Sequence, residues 1–342
     1  MKQEKIEYLD FLRVISTFAV IVIHVAGDYW YGLVETDHWV IFTVYKALAS
    51  FAVPMFVMIS GAVFLRKEKK VDAVRLYTHN ILRLIVFLFF WAFCYQIYTL
   101  GFTFTTIKLA FFNILHGDIQ THLWFVKMII GIYICIPLLK VLIDNCSKKM
   151  IEYALLLFIV FTLFKNLFSV IPIAPFPILT TNLQAFDAHF IGDYIGYFIL
   201  GYYLHTYEFS KKVRKLIYFA GIAATVISIF ATISVSRTTG IPTQDYLQNL
   251  APGVFLWACA IFIFAKEQIT HTGKWMESFS QCSLGIYAIH MLIIRVFWNG
   301  SFTTQSFHAV FSVALIAILT ACISYVIIFV LRKIPILNRW LV

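Results

Sequence analysis

Apolar runs of about 20 residues recur along the whole chain, and no other feature restricts its fold so strongly. A helix rising 1.5 Å per residue needs roughly 20 such residues to cross the hydrocarbon core of a bilayer. Ten segments can be drawn, at 11–33, 39–65, 82–101, 122–143, 151–171, 189–207, 215–235, 250–266, 282–298 and 310–331. They are continuous rather than alternating. In lipid only helices or closed barrels satisfy every backbone group, so continuous runs read as helices. With 61% hydrophobic and 13% charged residues among 342, the expected class is an all-α integral membrane protein, a bundle of about ten transmembrane helices. No hydrophilic stretch is long enough to fold separately, so residues 1–342 read as a single transmembrane domain. The first run follows a short basic stretch, as in a signal peptide. It is long, however, and "VAGDYWYG" is a poor cleavage site, so it is expected to remain as the first helix.

The net charge of +10 invites a nucleic-acid reading, but the positions of the charges give another reason for it. With the N-terminus inside, all but Lys46, Lys108, Lys127, Lys165, Arg237 and Arg295 of the 27 lysines and arginines fall in inner segments. That bias is the positive-inside pattern, and it implies N-in and C-in topology with no nucleic-acid partner. The six cysteines form no CxxC pair, which argues against a disulfide framework or a zinc site, and no metal is expected. Three outer connections stand out. Residues 102–121 suit an amphipathic surface helix. The prolines of 171–188 are expected to prevent a regular helix. The third is "SRTTGIPTQDYLQN" at 236–249.

Ionisable residues within the runs carry the functional reading. His24 lies eleven residues beyond Arg13 in "RVISTFAVIVIHVAG", about 16 Å deeper along a helix and hence near the midplane. An ionisable group there faces a bundle interior or a cavity, either as a packing imidazole or as a working one. His290, in "SLGIYAIHMLII", is expected at comparable depth, with the same two readings. Arg13, Arg75 and Arg83 gather on the inner side beside Lys67, Lys69 and Lys70. Arginines there suit a phosphorylated ligand, and equally suit snorkelling, while the lysines suit topology alone. On the outer side "HLWFVK" supplies His122, Trp124 and Lys127. Trp124 fits an interfacial belt or a platform for a sugar; Lys127 calls for a partner such as Asp187 or Asp193. No Walker loop, dinucleotide fingerprint, HExxH or GxSxG occurs. Ser60 in "MISGAVF" reads as Ser-Gly helix packing.

The stretches "YLDFLRVISTFAVIVIHVAG", "VPMFVMISGAVFL", "ILRLIVFLFFW", "HLWFVKMIIGIYICIPLL", "IGYFILGYYL" and "SLGIYAIHMLII" occur in that order. Together they resemble the acyltransferase family three of ten-helix membrane proteins, over essentially the whole chain. Within that family the likeness is closest to the branch holding the enterobacterial common antigen O-acetyltransferase. The resemblance implies transfer of an acyl group, usually acetyl from cytoplasmic acetyl-CoA, to a hydroxyl of a surface glycan. It also implies a multi-pass protein of the bacterial plasma membrane. His24 then matches the essential histidine of the first helix and Arg13 the arginine before it. Arg83 matches the second arginine of an Arg-x-x-Arg pattern. Asn80 stands where the first would be, with Arg75 as a substitute if the loop folds back. His122 and Trp124 match "HLWF", and His290 matches the "SLGIYxxH" helix.

A sugar hydroxyl is a weak nucleophile and needs a base. With an ordinary pKa of about 6.5, imidazole supplies one near neutral pH. The expected assignment is therefore His24 as base, His290 assisting, and Arg13, Arg83 and Arg75 on the acyl-CoA phosphates. His122, Trp124 and Lys127 would meet the glycan acceptor. An acyl-histidine relay is the less favoured variant. A transporter of a glycan or lipid-linked sugar would move substrate without consuming acyl-CoA, and inverted repeats or paired broken helices would favour it. A membrane sensor or scaffold would tolerate loss of His24, Arg13 and Arg83.

Overall fold

The structure, a computed structural model, describes residues 6–32, 34–117, 119–171, 173–186 and 192–341. Asp187, one suggested partner of Lys127, lies outside the described residues. Among those described there is no strand. The helices are α1 (Glu7–Gly27), α2 (Asp37–Ala49), α3 (Ala52–Phe64), α4 (Ala73–Arg75), α5 (Leu82–Leu100), α6 (Phe104–Leu115), α7 (Trp124–Asn145) and α8 (Lys148–Phe158). There follow α9 (Lys165–Ser169), α10 (Phe176–Ala185), α11 (Asp193–Thr206), α12 (Lys211–Thr239), α13 (Pro252–Gln268), α14 (Lys274–Asn299), α15 (Ala309–Leu331) and α16 (Pro335–Trp340). A π-helical turn, Leu76–Ile81, joins α4 to α5, and another, Ile159–Phe164, joins α8 to α9.

Eight helical runs among the described residues are long and apolar enough to cross a membrane. They are α1, α2 with α3, α4 through α5, the run Thr121–Asn145 that includes α7, α8 through α9, α12, α14 and α15. The two other expected segments are helical but shorter: α11 has 14 residues and α13 has 17. Each is packed against a longer run, α11 on the α3 half of the α2–α3 run and α13 on α12.

The packing follows membrane rather than aqueous logic. The buried stripe of α12 consists of Gly221, Thr225, Ser228, Thr232 and Ser236, while Leu216, Phe219, Ile222, Ile227 and Phe230 point outward. Lipid solvates apolar chains as well as a core does, so small and hydroxyl-bearing residues take the helix contacts. The α3–α11 crossing is the extreme case. A Cβ on Gly61 would lie 1.8 Å from the Phe198 carbonyl oxygen, and one on Gly201 would lie 1.9 Å from that of Met58. The Ser-Gly pair of "MISGAVF" thus has its glycine in a backbone-to-backbone contact. Ser60 Oγ donates to the Phe56 carbonyl at 3.0 Å.

Two outer connections differ in outcome. Residues 104–115 form a helix as expected, opened by a capping box between Thr103 and Thr106. The 171–188 stretch corrects its expectation, since Phe176–Ala185 is a regular helix. Pro175 precedes it and Pro177 lies in its first turn. There a missing N–H costs no intrahelical bond, so these prolines start a helix instead of breaking one.

Candidate active site

Helix α1 carries both ends of the site. Arg13 lies in its second turn and His24 one turn from its far end, with only Val25, Ala26 and Gly27 after it. His24 therefore sits nearer the C-terminal end of α1 than its centre. The reason is that α1 begins at Glu7, before Arg13, so Arg13 does not mark the start of the helix.

Three imidazoles from three separate segments converge there. The ring centres of His24 and His290 are 5.2 Å apart, those of His122 and His290 5.5 Å, and those of His24 and His122 6.1 Å. His290 comes from α14 and is fully buried; His122 comes from the 3₁₀ turn Thr121–Leu123 before α7. His290 Nδ1 lies 2.6 Å from the Tyr287 carbonyl oxygen, one helical turn back. If Nδ1 carries the proton it donates there, which leaves Nε2 as an acceptor. The Nε2 atoms of His122 and His290 are buried without a hydrogen-bond partner. Two tyrosines hold the cluster. Tyr95 meets the His122 ring edge-on at 4.9 Å and donates to the Ala288 carbonyl at 2.8 Å; Tyr287 donates to the His122 carbonyl.

Two cavities lie on either side of this cluster, named inner and outer after the orientation expected from the charges; His24 lines the outer one, and Tyr287 stands between the inner one and His290. The inner one, about 300 Å³, is lined by Arg13, Ser60, Arg83, Tyr133, Gln281 and Tyr287, among others. At its mouth Arg13 donates to Asp10 Oδ1 at 3.0 Å, and Ser280 Oγ donates to the same oxygen at 2.7 Å. Asp10 thus ties the arginine of α1 to α14. A second basic pocket, about 630 Å³, shares Val63 and Phe64 with the inner cavity and adds Lys69, Lys70, Arg75 and Asn80. Arg75 and Asn80 therefore stand beside Arg83 without entering its cavity. The π-helical turn between Arg75 and Leu82 interposes an extra residue in the helical ladder there. Lys69 lies outside the helices, its Nζ 4.0 Å from the centre of the Phe64 ring. Burial first, then the like charges of Arg66 and Arg75, lower its pKa from the usual lysine range to about 8.

The outer cavity, about 330 Å³, is lined by His24, Lys46, Ser50, Trp124, Tyr194 and the loop residues Gln244, Leu247, Gln248, Asn249 and Leu250, among others. That loop is the 236–249 connection folded over the helix ends. Asn249 Nδ2 donates to the Tyr194 hydroxyl at 3.1 Å, and Tyr197 donates to the Asn249 carbonyl at 2.7 Å. The two cavities share no lining residue. Between them stand Tyr287, on the inner wall, with its ring centre 6.0 Å from that of His290, and then His24, on the outer wall.

Most of the expected residues are thus brought together; besides Arg75, which lines the neighbouring pocket, two depart from expectation. Lys127 is exposed, beside the turn at Gly117, and lines neither cavity. His122 joins the imidazole cluster and not the lining of the outer cavity. Sequence reasoning passed over Asp10, Lys46, Tyr95, Tyr194 and Tyr287. Asp10 had a signal, being three residues before Arg13; so had Tyr287, one turn before His290. Lys46 had none, because the cavity it lines also draws on α1, α7 and a distant loop.

Lipid-facing apolar helices and polar groups gathered in internal cavities define an all-α integral membrane protein. Residues 6–330 match the model of acyltransferase family three, described as an acyltransferase domain, and the chain belongs to that family. The protein is accordingly a membrane acyltransferase. No curated protein and no solved structure matches it.

Proposed function

We propose that the protein moves an acetyl group from cytoplasmic acetyl-CoA to a hydroxyl of a surface glycan or its precursor, in a bacterial plasma membrane. The observation that carries this reading is the placement of His24, His122 and His290 between a cavity bearing two arginines and a cavity lined by His24. Arg13 and Arg83 suit the phosphates of a CoA thioester, with Lys69 and Arg75 beside them for its charged remainder. In the outer cavity the acceptor hydroxyl lies against His24. His24 takes the hydroxyl proton as the oxygen bonds to the acyl carbon. The carbon–sulfur bond then breaks and the thiolate is protonated to free CoA. His290, whose Nε2 is left as an acceptor beside His24, stabilises the protonated imidazole. The acyl chain must pass Tyr287, the residue that separates the cavities.

Membranes given radiolabelled acetyl-CoA would be followed for label in polysaccharide, wild type against His24→Ala. A positioned base contributes about 100-fold or more, so the variant is expected to lose at least that much at equal expression. Equal labelling would refute the role of His24. Glycan movement without consumption of acetyl-CoA would establish a transporter instead.

A further inference from the structure

Lys46 does not fit a merely structural account. It belongs to α2 and is only 7% exposed, yet it lines the same cavity as His24. Its Nζ lies 3.8 Å from the centre of the Trp30 ring and 5.4 Å from that of Tyr31. Among the described residues no carboxylate pairs with it: the ion pairs of the structure involve Arg13, Lys140, Lys148, Arg214 and Lys266. A buried ammonium is costly unless it is paired and hydrogen-bonded, and aromatic faces offset only part of that cost. Topology does not call for it either, since the charges that set orientation lie mostly on the opposite side.

We propose that Lys46 is the anion-recognising residue of the acceptor site, so that the acceptor is a sugar with a carboxylate or phosphate group near the hydroxyl that is acylated. The inference rests on the reading of the outer cavity as the acceptor site. The rest of its wall suits a carbohydrate. Trp124, 39% exposed, offers an aromatic face, and Gln244, Gln248 and Asn249 bring amide groups. Gln244 also donates to the hydroxyl of Tyr31, the second ring beside Lys46, which closes the loop over the cation. The phosphates of the acyl donor have their own basic pockets on the other side of the imidazoles, so Lys46 is not needed for them. An anion on Lys46 turns the sugar within the cavity and selects which hydroxyl meets His24. Lys46 is thus a specificity residue that takes no part in the proton transfer.

The test is equilibrium binding to the purified full chain in lipid nanodiscs, without acyl donor, followed by tryptophan fluorescence. The probes are methyl β-D-glucuronide and methyl β-D-glucoside, which differ only in the group at C6, with glucose 1-phosphate as a phosphate-bearing third. A charge-assisted bond makes the wild type prefer an anionic probe over the glucoside by about tenfold. Lys46→Gln loses that preference, and Lys46→Arg keeps it. Equal binding of charged and neutral probes by the wild type, no detectable binding of any probe, or a preference that survives in Lys46→Gln would overturn the proposal. If Lys46→Gln does not fold, the wild-type comparison still decides. Because no donor is present, a negative result here leaves acetyl transfer untouched, and failure of acetyl transfer leaves this result standing.

Discussion

Asp10 shows how much one short side chain settles. Its Oδ1 accepts from both Arg13 and Ser280, so the guanidinium is held at the mouth of the inner cavity by two helices at once. Asp10→Asn weakens that grip by about 1 kcal/mol, because the pair is partly solvated; the acetyl-CoA KM should rise roughly fivefold with kcat little changed. Steady-state kinetics in membranes would check this, and Ser280→Ala should give a smaller effect of the same kind. Lys69 leads to a prediction in pH. Its ammonium is lost as pH rises through about 8, well below the lysine range of an unfolded chain. Below pH 8 the positive charge is present and, if the proposed donor binds there, attracts its phosphates; above it that attraction fades. Donor affinity should therefore fall between about pH 7 and 9, and Lys69→Arg should abolish the step, as read from acetyl-CoA binding across that range. At this scale His24, Arg13, Arg83 and His290 were legible, because an ionisable group in an apolar run is conspicuous against its neighbours. Lys46 and Tyr194 were not: a lysine near a helix end and a tyrosine among tyrosines look ordinary until their neighbours are known.

Among the helices, the α3–α11 crossing carries the strictest geometry. Gly61 and Gly201 each meet a carbonyl of the facing helix at a distance no Cβ tolerates. Gly61→Ala must push the two helices apart, at a cost of about 1–3 kcal/mol, and should lower the thermal midpoint in detergent by several degrees. Gly131→Ala, where a Cβ would meet nothing within 4 Å, is the control and should leave the midpoint unchanged or slightly raised. Spans such as α12 and α15 were evident from length and hydropathy alone, since the bilayer dictates both. The boundaries were less evident. The span read as 282–298 runs from Lys274 to Asn299, because Ser278 and Ser280 in its polar start bond to Tyr325 of α15 and Asp10 of α1. The helix at Phe176–Ala185 was missed since proline's effect depends on its position in the turn, and that position is set by where the helix starts.

For the molecule as a whole, orientation follows from charge. The basic cavities of Arg13, Arg83, Lys69 and Arg75 should face the cytoplasm, and the loop over His24 should face outward. In a variant with the native cysteines replaced, Asp245→Cys should react with a membrane-impermeant maleimide in intact cells. Glu68→Cys should react only after permeabilisation, and the reverse pattern would invert the topology. The amino-acid sequence by itself determined the all-helical membrane class, the family and the places of eight of the ten expected spans, because these depend on local hydropathy, charge and ordered motifs along the chain. It placed imidazoles in two helices and one beside a third. Only the tertiary structure decided that His24, His122 and His290 lie within about 6 Å of one another, that Asp10 reaches Ser280, and that Lys46 shares a cavity with His24. Those contacts join residues up to 270 positions apart. Packing of the helices creates them, and no periodicity within one helix records which face another will meet.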